Sequence, residues 1–358
     1  MKSLKKLNKK NIKKTKILNK SSIKKYVGKV KTIKKSKKIQ KGGNPPPIIL
    51  EVPNKEGSKD EIRCLAWSHN GQKLATASTD KILRIWNMTT KEIEREIDNE
   101  IWNSNYGKVN TYHTNIISSL SWSPSKMVLA SASGENKVLL WNFEEDSNPN
   151  ILEHDSEVLS IAWLYQDQFL ACGCQNGNIY FWNVLEKTKK IYTYHKEAVC
   201  SLAFLQNQSI LTSADNHNIF LTKIKDKGLK EFISVKKPDC EISLLSWMMT
   251  TNVRGPLLIS ICGKNIIYWI LKDSQLVEIS EKTELDYIIK TISYFSYVNQ
   301  SILAVAGESN KIDIYDFLNN KIYQIELHTP IIHSIAWSPD GQLASTSSNM
   351  KVQINLFF

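Results

Sequence analysis

One pattern of residues returns seven times along this sequence, and the repetition limits the fold more than any other feature does. The stretch 61–87 has close copies at 116–142 and 158–183, and in each copy two tryptophans stand 19 residues apart. Weaker copies occupy 201–224, 243–270, 291–316 and 334–355. Each copy has one aromatic anchor: Trp67, Trp122, Trp163, Phe204, Trp247, Tyr294 and Trp337. Successive anchors lie 41 to 47 residues apart after a first interval of 55, a period typical of chains whose units stack on their neighbours.

Each unit carries the sequence signals of a short antiparallel meander. Hydrophobic and polar residues alternate, and β-branched and aromatic residues are frequent. Turn triplets such as His-Asn-Gly at 69–71 and Pro-Asp-Gly at 339–341 separate the hydrophobic runs, as expected for strands joined by tight turns. Because the unit length leaves room for four strands, the repeat predicts an all-β protein of seven four-stranded units.

Two further features recur at fixed places within the units. A histidine stands nine residues before the aromatic anchor in four of them, at His113, His154, His195 and His328. The second tryptophan of units one to three is followed by asparagine, at Trp86, Trp141 and Trp182. A lone histidine is more often incidental, but four at the same offset within a repeat indicate a structural role.

With these features the chain resembles the WD-repeat family of β-propellers over roughly residues 48–358. The resemblance implies an all-β, seven-bladed β-propeller of four-stranded antiparallel blades at residues 45–358. It also implies a buried network in each blade that joins a histidine, a Ser or Thr on the second strand, an Asp in the next turn and the tryptophan. The residues that match this network are His113, His154, His195, His328, Asp80, Trp86, Trp141 and Trp182.

The network that the resemblance implies is incomplete in the units that carry it. Unit one offers Ser78 but has Ser58 where the histidine belongs. Unit two offers Ser133 and has Glu135 at the Asp position, while unit three has Asn176 there. We therefore expect some blades to be less firmly held, since a half-built buried polar network loses much of its stabilisation.

The last unit requires a strand from elsewhere in the chain. Its third strand is predicted to end close to Phe358, whereas the β-branched run 48–52 has no partner of its own. We expect residues 48–52 to close the ring as the outer strand of the last blade, because closure hides a sheet edge. The alternative is that 48–52 is only a linker. An insertion at 98–112 lengthens the first interval and is expected to be a surface excursion of unknown role.

Charge divides the chain into a basic tail and an acidic body. Residues 1–50 contain 18 Lys and no acidic residue, so the remainder of a chain with a net charge of +12 carries about −6. We expect residues 1–44 to be disordered, with the cluster Lys34, Lys35, Lys37 and Lys38 as a nuclear targeting signal or a non-specific phosphate-binding arm. A solvated extension without a partner is the third alternative. Base stacking is not supported, since Tyr26 is the tail's one aromatic residue.

The sequence lacks the residue patterns of the common catalytic and cofactor sites. It has no GxSxG, HExxH, Gly-Lys-Ser/Thr phosphate loop, GxGxxG or paired CxxC motif. We therefore expect no enzymatic activity, no cofactor and no metal. Six cysteines with no secretory signal before them do not form a disulfide framework, and Cys172 and Cys174 are interpreted as small core residues. A nuclear or cytoplasmic location is expected, without secretion or membrane association.

The resemblance implies a non-enzymatic scaffold, the default role in this family. Its partners are expected to be other proteins or peptides, with the chain monomeric within a larger complex. The alternative is a chromatin- or nucleic-acid-associated subunit whose tail binds phosphates without sequence preference. The candidate rim consists of the residues that precede each unit's first strand, namely Glu61, Ile116, Glu157, Ala198, Glu241, Ile288 and Ile331. Carboxylates alternating with apolar side chains favour a ligand with a Lys or Arg flanked by apolar groups. The chain's own lysine tail is a second candidate occupant, and a solvated ring without a ligand is the third.

Overall fold

The structure is a computed structural model, and it is built almost wholly of β-strands. It describes residues 46–52, 60–98, 112–145, 147–164, 167–225, 228–236, 240–249, 255–272, 275–297, 300–317, 321–326 and 331–357. Within these ranges there are 28 strands and a single turn of 3₁₀-helix at Gln206–Gln208. The first three blades follow strand β1 (Ile48–Glu51). Blade one contains β2 (Ile62–Trp67), β3 (Lys73–Ser78), β4 (Leu83–Asn87) and β5 (Glu92–Ile97). Blade two contains β6 (Ile117–Trp122), β7 (Val128–Ser133), β8 (Lys137–Asn142) and β9 (Asn150–Glu153). Blade three contains β10 (Val158–Leu164), β11 (Phe169–Cys174), β12 (Ile179–Asn183) and β13 (Thr188–Tyr192).

The remaining blades repeat this arrangement. Blade four contains β14 (Ser201–Leu205), β15 (Ile210–Ala214), β16 (Asn218–Lys225) and β17 (Gly228–Lys236). Blade five contains β18 (Ile242–Met248), β19 (Leu257–Cys262), β20 (Asn265–Lys272) and β21 (Gln275–Glu284). Blade six contains β22 (Ile289–Tyr297), β23 (Gln300–Gly307), β24 (Lys311–Asp316) and β25 (Lys321–Glu326). The last part of the chain forms β26 (Ile332–Trp337), β27 (Gln342–Ser347) and β28 (Lys351–Leu356).

The strands form seven antiparallel sheets of four, one for each unit of the repeat. The first strand of each blade contacts the first strands of both neighbouring blades, and β26 of the last blade contacts β2 of the first. These contacts close the ring around a central axis, so the prediction of a seven-bladed propeller is confirmed. The hydrophobic core lies between successive sheets, where side chains of each blade pack against the next.

The seventh sheet is completed by the strand from the beginning of the propeller, in the order β1-β28-β27-β26. Strand β1 runs antiparallel to β28, with Ile48 opposite Ile354 and Glu51 opposite Lys351. The side chain of Leu50 is buried in the cluster between blades seven and one. The closing strand therefore covers the edge of β28 and adds apolar contacts.

A β-branched residue begins the innermost strand in six blades and stands two residues before it in blade four. The seven residues are Ile62, Ile117, Val158, Val199, Ile242, Ile289 and Ile332, and all are buried. Directly after this position the register shifts in six of the blades, which marks a β-bulge. A bulge increases local twist and redirects the side chain at that point, so one residue per bulged strand is turned away from the pairing pattern at the mouth of the ring.

The aromatic anchors of the repeat bond the blades to one another. Trp67 Nε1–H donates to the carbonyl oxygen of Ala336 at 3.1 Å. Trp122 makes the same bond to Ala66 at 3.0 Å, and Trp163 makes it to Ser121 at 2.9 Å. Each bond joins one blade to the blade before it. The Nε1 of Trp337 has no hydrogen-bond partner in this structure, so the junction between blades six and seven lacks this link.

One cysteine pair departs from the sequence expectation. Cys240 and Cys262 form a disulfide with their Cα atoms 5.8 Å apart, although no disulfide framework was expected. The two residues lie 22 positions apart in the chain, and they meet because both stand at the rim end of blade five. Cys172 and Cys174 are free and buried, as the sequence predicted.

Candidate partner-binding rim

The seven residues of the candidate rim lie at one end of the innermost strands. Each stands immediately before the buried β-branched residue of its own blade, which in blade four is Val199. The pairing of the first and second strands in blades five and six follows that of the other blades, with Ile242 opposite Cys262 and Ile289 opposite Gly307. The side chains of Ile116, Ile288 and Ile331 are 42%, 38% and 39% exposed. The tertiary fold therefore brings this set together at one mouth of the ring, with its large apolar side chains open to solvent.

Backbone hydrogen bonds fix the rim in place. The amides of Thr79, Gln175 and Glu308 each donate to the carbonyl oxygen of the rim residue in their own blade at 2.9 Å. Ile331 has a φ of 71°, a left-handed backbone conformation that is costly for a β-branched side chain. Because the main chain is held in this way, the rim side chains project from a rigid base.

Glu61 is already engaged within the molecule. Its carboxylate lies 2.8 Å from the guanidinium of Arg63 and 3.2 Å from Nε2 of His333 in blade seven. Burial, followed by the positive charge of Arg63, lowers the pKa of His333, and the carboxylate of Glu61 opposes this shift. Glu61 therefore links blades seven and one, and much of its charge is compensated by Arg63.

The carboxylates on the other half of the rim have a different setting. In the described part of the chain, neither Glu157 nor Glu241 forms a salt bridge, and Glu241 is exposed. Glu197, next to the rim residue Ala198, accepts a hydrogen bond from Nδ1 of His217 at 2.9 Å. That hydrogen bond, and then the charge of Glu197, raise the pKa of His217. Blades three to five thus present acidic groups on this mouth of the ring.

A second set of residues at this mouth was not foreseen from the sequence. It consists of the residues displaced by the six bulges, namely Arg63, Ser118, Leu159, Ser243, Lys290 and His333. The three basic members stand on the adjacent blades six, seven and one, and Lys290 pairs with Glu308 at 3.1 Å. The rim therefore carries ion-paired side chains on blades six, seven and one, and carboxylates without a salt bridge at Glu157 and Glu241. The signal in the sequence was the second residue after each rim position.

Blade two has a complete buried network. Nδ1 of His113 lies 2.6 Å from a carboxylate oxygen of Glu135, and Nε2 lies 2.7 Å from Oγ of Ser131. Trp141 Nε1–H donates to the same hydroxyl at 2.8 Å. The expectation of a half-built network with Ser133 is wrong here, because the hydroxyl that faces the tryptophan belongs to Ser131 and Glu135 takes the place of Asp. The hydroxyl of Ser133 has no partner.

Blades three and four each use a variant of this network. In blade three, Nδ1–H of His154 donates to the carbonyl of Leu152 at 2.9 Å, and Trp182 donates to Nε2 of His154 at 3.1 Å. Burial lowers the pKa of His154 to about 4, so the ring is neutral near pH 7. In blade four, His195 contacts Asp215 at 3.0 Å and Ser213 at 2.8 Å.

Blade one replaces the histidine with a buried arginine. Arg84 lies 2.7 Å from Asp80, 2.8 Å from Glu96 and 3.0 Å from the hydroxyl of Ser78. Trp86 donates to Thr76 at 3.0 Å, not to Ser78. His328 of unit seven lies outside the described residues. Among the described residues, these networks engage His113, His154, His195, Asp80 and Asp215 in internal contacts. The rim therefore remains as the candidate functional surface.

Several expectations concern parts of the chain that the structure does not describe. The tail at 1–44, including Lys34, Lys35, Lys37 and Lys38, lies outside the described residues, as does nearly all of the insertion at 98–112. Among the residues that are described, no group of three or more His, Cys, Asp or Glu side chains could hold a metal ion. No helix in those same ranges is long and apolar enough to cross a membrane.

Comparison with known proteins gives a family match on the same units. The model "WD domain, G-beta repeat" matches residues 51–87, 107–142, 148–183 and 319–354. A WD repeat-containing protein of Dictyostelium discoideum is 34% identical over 89 residues, which is 25% of this chain and 14% of that protein. THO complex subunit 3 of Arabidopsis thaliana is 33% identical over 88 residues, which is 24% of this chain and 25% of that protein. The matches thus span a quarter or less of the length of these relatives.

A solved structure extends the likeness to nearly the whole propeller. A chain in the crystal structure of the mitotic checkpoint complex superposes with a TM-score of 0.69 at 16% identity. The superposition covers 89% of this chain and 94% of that chain, and at this identity the likeness shows the fold alone. The four matched segments lie within the seven four-stranded blades, so this chain is a seven-bladed β-propeller that contains WD repeats.

Proposed function

We propose that this protein is a non-enzymatic interaction scaffold whose rim binds a partner segment carrying a Lys or Arg flanked by apolar residues. One observation carries the proposal: Glu157 and Glu241 lack a salt-bridge partner within the described residues, while Ile288 on the next blade is exposed. A carboxylate at such a mouth gains charge-assisted hydrogen bonds from a basic ligand. Neighbouring apolar groups strengthen those bonds by excluding water.

The charges of the rim also orient the ligand. Its cation is expected over blades three to five, since Glu61 is paired with Arg63 and His333. The opposite half attracts a cation less, because Arg63 and Lys290 form ion pairs there with Glu61 and Glu308.

Variants of the rim carboxylates test this orientation. Binding of fluorescent peptides with a central Lys or Arg between apolar residues is measured by anisotropy. The Glu157→Gln/Glu241→Gln double variant is expected to weaken the best-binding peptide by about tenfold, since each charge-assisted bond is worth on the order of 1.5–3 kcal/mol at most and the site is partly exposed. Glu61→Gln is the matched control and should change affinity little. Equal losses in both variants, or none, would refute the proposed site.

A second candidate function rests on the tail. Eighteen lysines without one acidic residue precede β1, and Ile48 pairs with Ile354 while Glu51 pairs with Lys351, the residue nearer the rim. The chain therefore enters β1 from the end of blade seven that faces away from the rim. A tail that leaves there can contact phosphates while the rim holds another partner.

Salt dependence distinguishes this second function from simple targeting. If the tail neutralises about 6–10 phosphates, duplex affinity should fall on the order of 10³–10⁵-fold between 50 and 200 mM salt, with little sequence preference. Removal of residues 1–44 should abolish that binding and leave rim binding unchanged. A reporter carrying residues 1–44 that enters the nucleus, together with feeble duplex binding, would instead assign the tail to nuclear targeting.

A further inference from the structure

The seam between blades two and three brings a hydrogen-bond donor and an acceptor together at the rim. Residue 134, in the turn between β7 and β8, is glycine, and a β-carbon there would lie 2.8 Å from Nδ2 of Asn115 and 3.2 Å from Oε1 of Glu157. Because Gly134 has no side chain, the amide of blade two and the carboxylate of blade three can both lie against this turn. We call Asn115, Gly134 and Glu157 the seam site.

The two polar groups of the seam site have no protein partner among the described residues. Glu157 is half-buried, and neither of its carboxylate oxygens forms a hydrogen bond or a salt bridge there. Oδ1 of Asn115 accepts a hydrogen bond from the amide of Ile116 at 2.8 Å. This bond identifies the oxygen of the side chain, so the group that faces Gly134 is the NH₂ donor.

Hydrogen bonds around the seam site hold its two halves in place. The amide of Thr114 donates to the carboxylate of Glu135 at 2.6 Å, which fixes the loop before β6 on the turn that contains Gly134. The hydroxyl of Ser118 donates to the carbonyl oxygen of Val158 at 2.7 Å, which ties blade two to the start of β10. A ligand would therefore meet a donor and an acceptor that are already positioned, with little ordering cost.

One donor beside one acceptor selects the chemistry of the ligand. An ammonium or guanidinium group has only donors and would face the N–H groups of Asn115, while a carboxylate has only acceptors and would be repelled by Glu157. A primary carboxamide has an N–H on the same side as its carbonyl oxygen, so it can donate and accept at once. A trans peptide group directs its N–H and C=O to opposite sides, which favours a side-chain amide over the main chain.

We propose that the seam site binds the side-chain carboxamide of an Asn or Gln residue in the partner segment. Its carbonyl oxygen accepts from Nδ2 of Asn115, and its N–H donates to Oε1 of Glu157 in a charge-assisted hydrogen bond. Ile116, which is 42% exposed, covers the aliphatic part of the ligand side chain and excludes water. The inference rests on the proposed function for the choice of the rim, and it leaves the Lys or Arg of the partner to Glu241.

A peptide series tests the seam site on the full chain. Fluorescein-labelled peptides carry a Gln, a spacer of one to four alanines, and a Lys between two valines, and their binding is measured by anisotropy. The best Gln peptide should bind about tenfold more tightly than the same peptide with Met, Glu or Ser in place of Gln. Met has no polar group to pair, Glu meets the carboxylate of Glu157, and the single oxygen of Ser does not bridge both groups.

Two variants of the seam site should remove the preference for Gln. Gly134→Ala adds a methyl group at the meeting point of Asn115 and Glu157, and the φ of Gly134 is not in the left-handed region, so the fold should tolerate it. Asn115→Asp replaces the donor by an acceptor, so an Arg in place of Gln should then bind better than Gln. Asn176→Asp is the matched control and should leave the preference unchanged. It adds the same charge at an exposed turn of the same mouth and keeps the hydrogen bond from the amide of Asn178.

The outcomes separate the seam site from the rim function. Equal binding of the Gln and Met peptides, or a Gln preference that persists in Gly134→Ala and Asn115→Asp, would overturn the seam site while Lys-dependent binding upholds the rim. A Gln preference that does not need the Lys of the peptide would uphold the seam site and refute the basic-residue ligand. Failure of every peptide to bind would overturn both. Unchanged melting temperatures confirm that each variant is folded.

Discussion

The tryptophan bonds between blades provide a prediction with an internal control. Trp122 and Trp337 occupy the same place in the repeat, are 7% and 8% exposed, and each packs on a phenylalanine ring. They differ in hydrogen bonding, since Trp122 donates to the carbonyl of Ala66 at 3.0 Å whereas Nε1 of Trp337 has no partner. Trp337 packs in addition on the ring of Phe295, so substitution by phenylalanine removes at least as much ring contact there, and a larger loss at Trp122 is attributed to its hydrogen bond.

The expected difference in the free energy of unfolding follows from the contribution of that hydrogen bond. A hydrogen bond contributes about 0.5–1.5 kcal/mol net, and leaving its buried partner unsatisfied costs about 1–3 kcal/mol. Trp122→Phe should therefore lower the free energy of unfolding by about 1–2 kcal/mol more than Trp337→Phe. Equilibrium unfolding in urea, followed by near-ultraviolet circular dichroism, measures both variants. Equal losses, or a larger loss for Trp337→Phe, would show that the inter-blade bond contributes nothing.

Three further predictions concern pH and the closing strand. Burial alone would raise the pKa of Glu135, but hydrogen bonds from His113 and Thr114 hold it at about 2. Because this folded pKa lies below the unfolded one, Glu135 contributes about 3 kcal/mol to the free energy of unfolding above pH 4.5. That contribution should be lost as the pH falls towards 2. Glu135→Gln should flatten acid denaturation in that window, and an unchanged curve would contradict the assignment. His154 is also depressed, to about 4, so stability should fall as the pH drops from 6.5 to 4, and His154→Gln should remove this slope; a slope retained in the variant would place its origin elsewhere. Deletion of residues 1–44 should leave the melting temperature unchanged, whereas deletion of 1–53 removes β1 and should cause aggregation detectable by light scattering; identical behaviour of the two truncations would deny β1 a role in closure.

The sequence did not decide which of two hydroxyls on the second strand of a blade contacts the tryptophan. Ser131 and Ser133 lie two residues apart on β7, and Thr76 and Ser78 have the same spacing on β3. Side chains two apart share one face of a strand, so the repeat alone does not separate them. The register does, because Leu129 pairs with Trp141 and directs the indole towards Ser131.

The sequence by itself determined the number of blades, the order of strands within them and the place of the rim. These properties follow from hydrophobic periodicity and turn residues, which act locally and recur with every unit. Only the tertiary structure decided that Glu61 is paired with Arg63 and His333, that Arg84 replaces a histidine, and that Cys240 meets Cys262. Such pairings depend on bulges, twist and the contact of blades far apart in the chain. A shift of one residue in strand register, or one residue inserted at a bulge, turns a side chain towards a different partner.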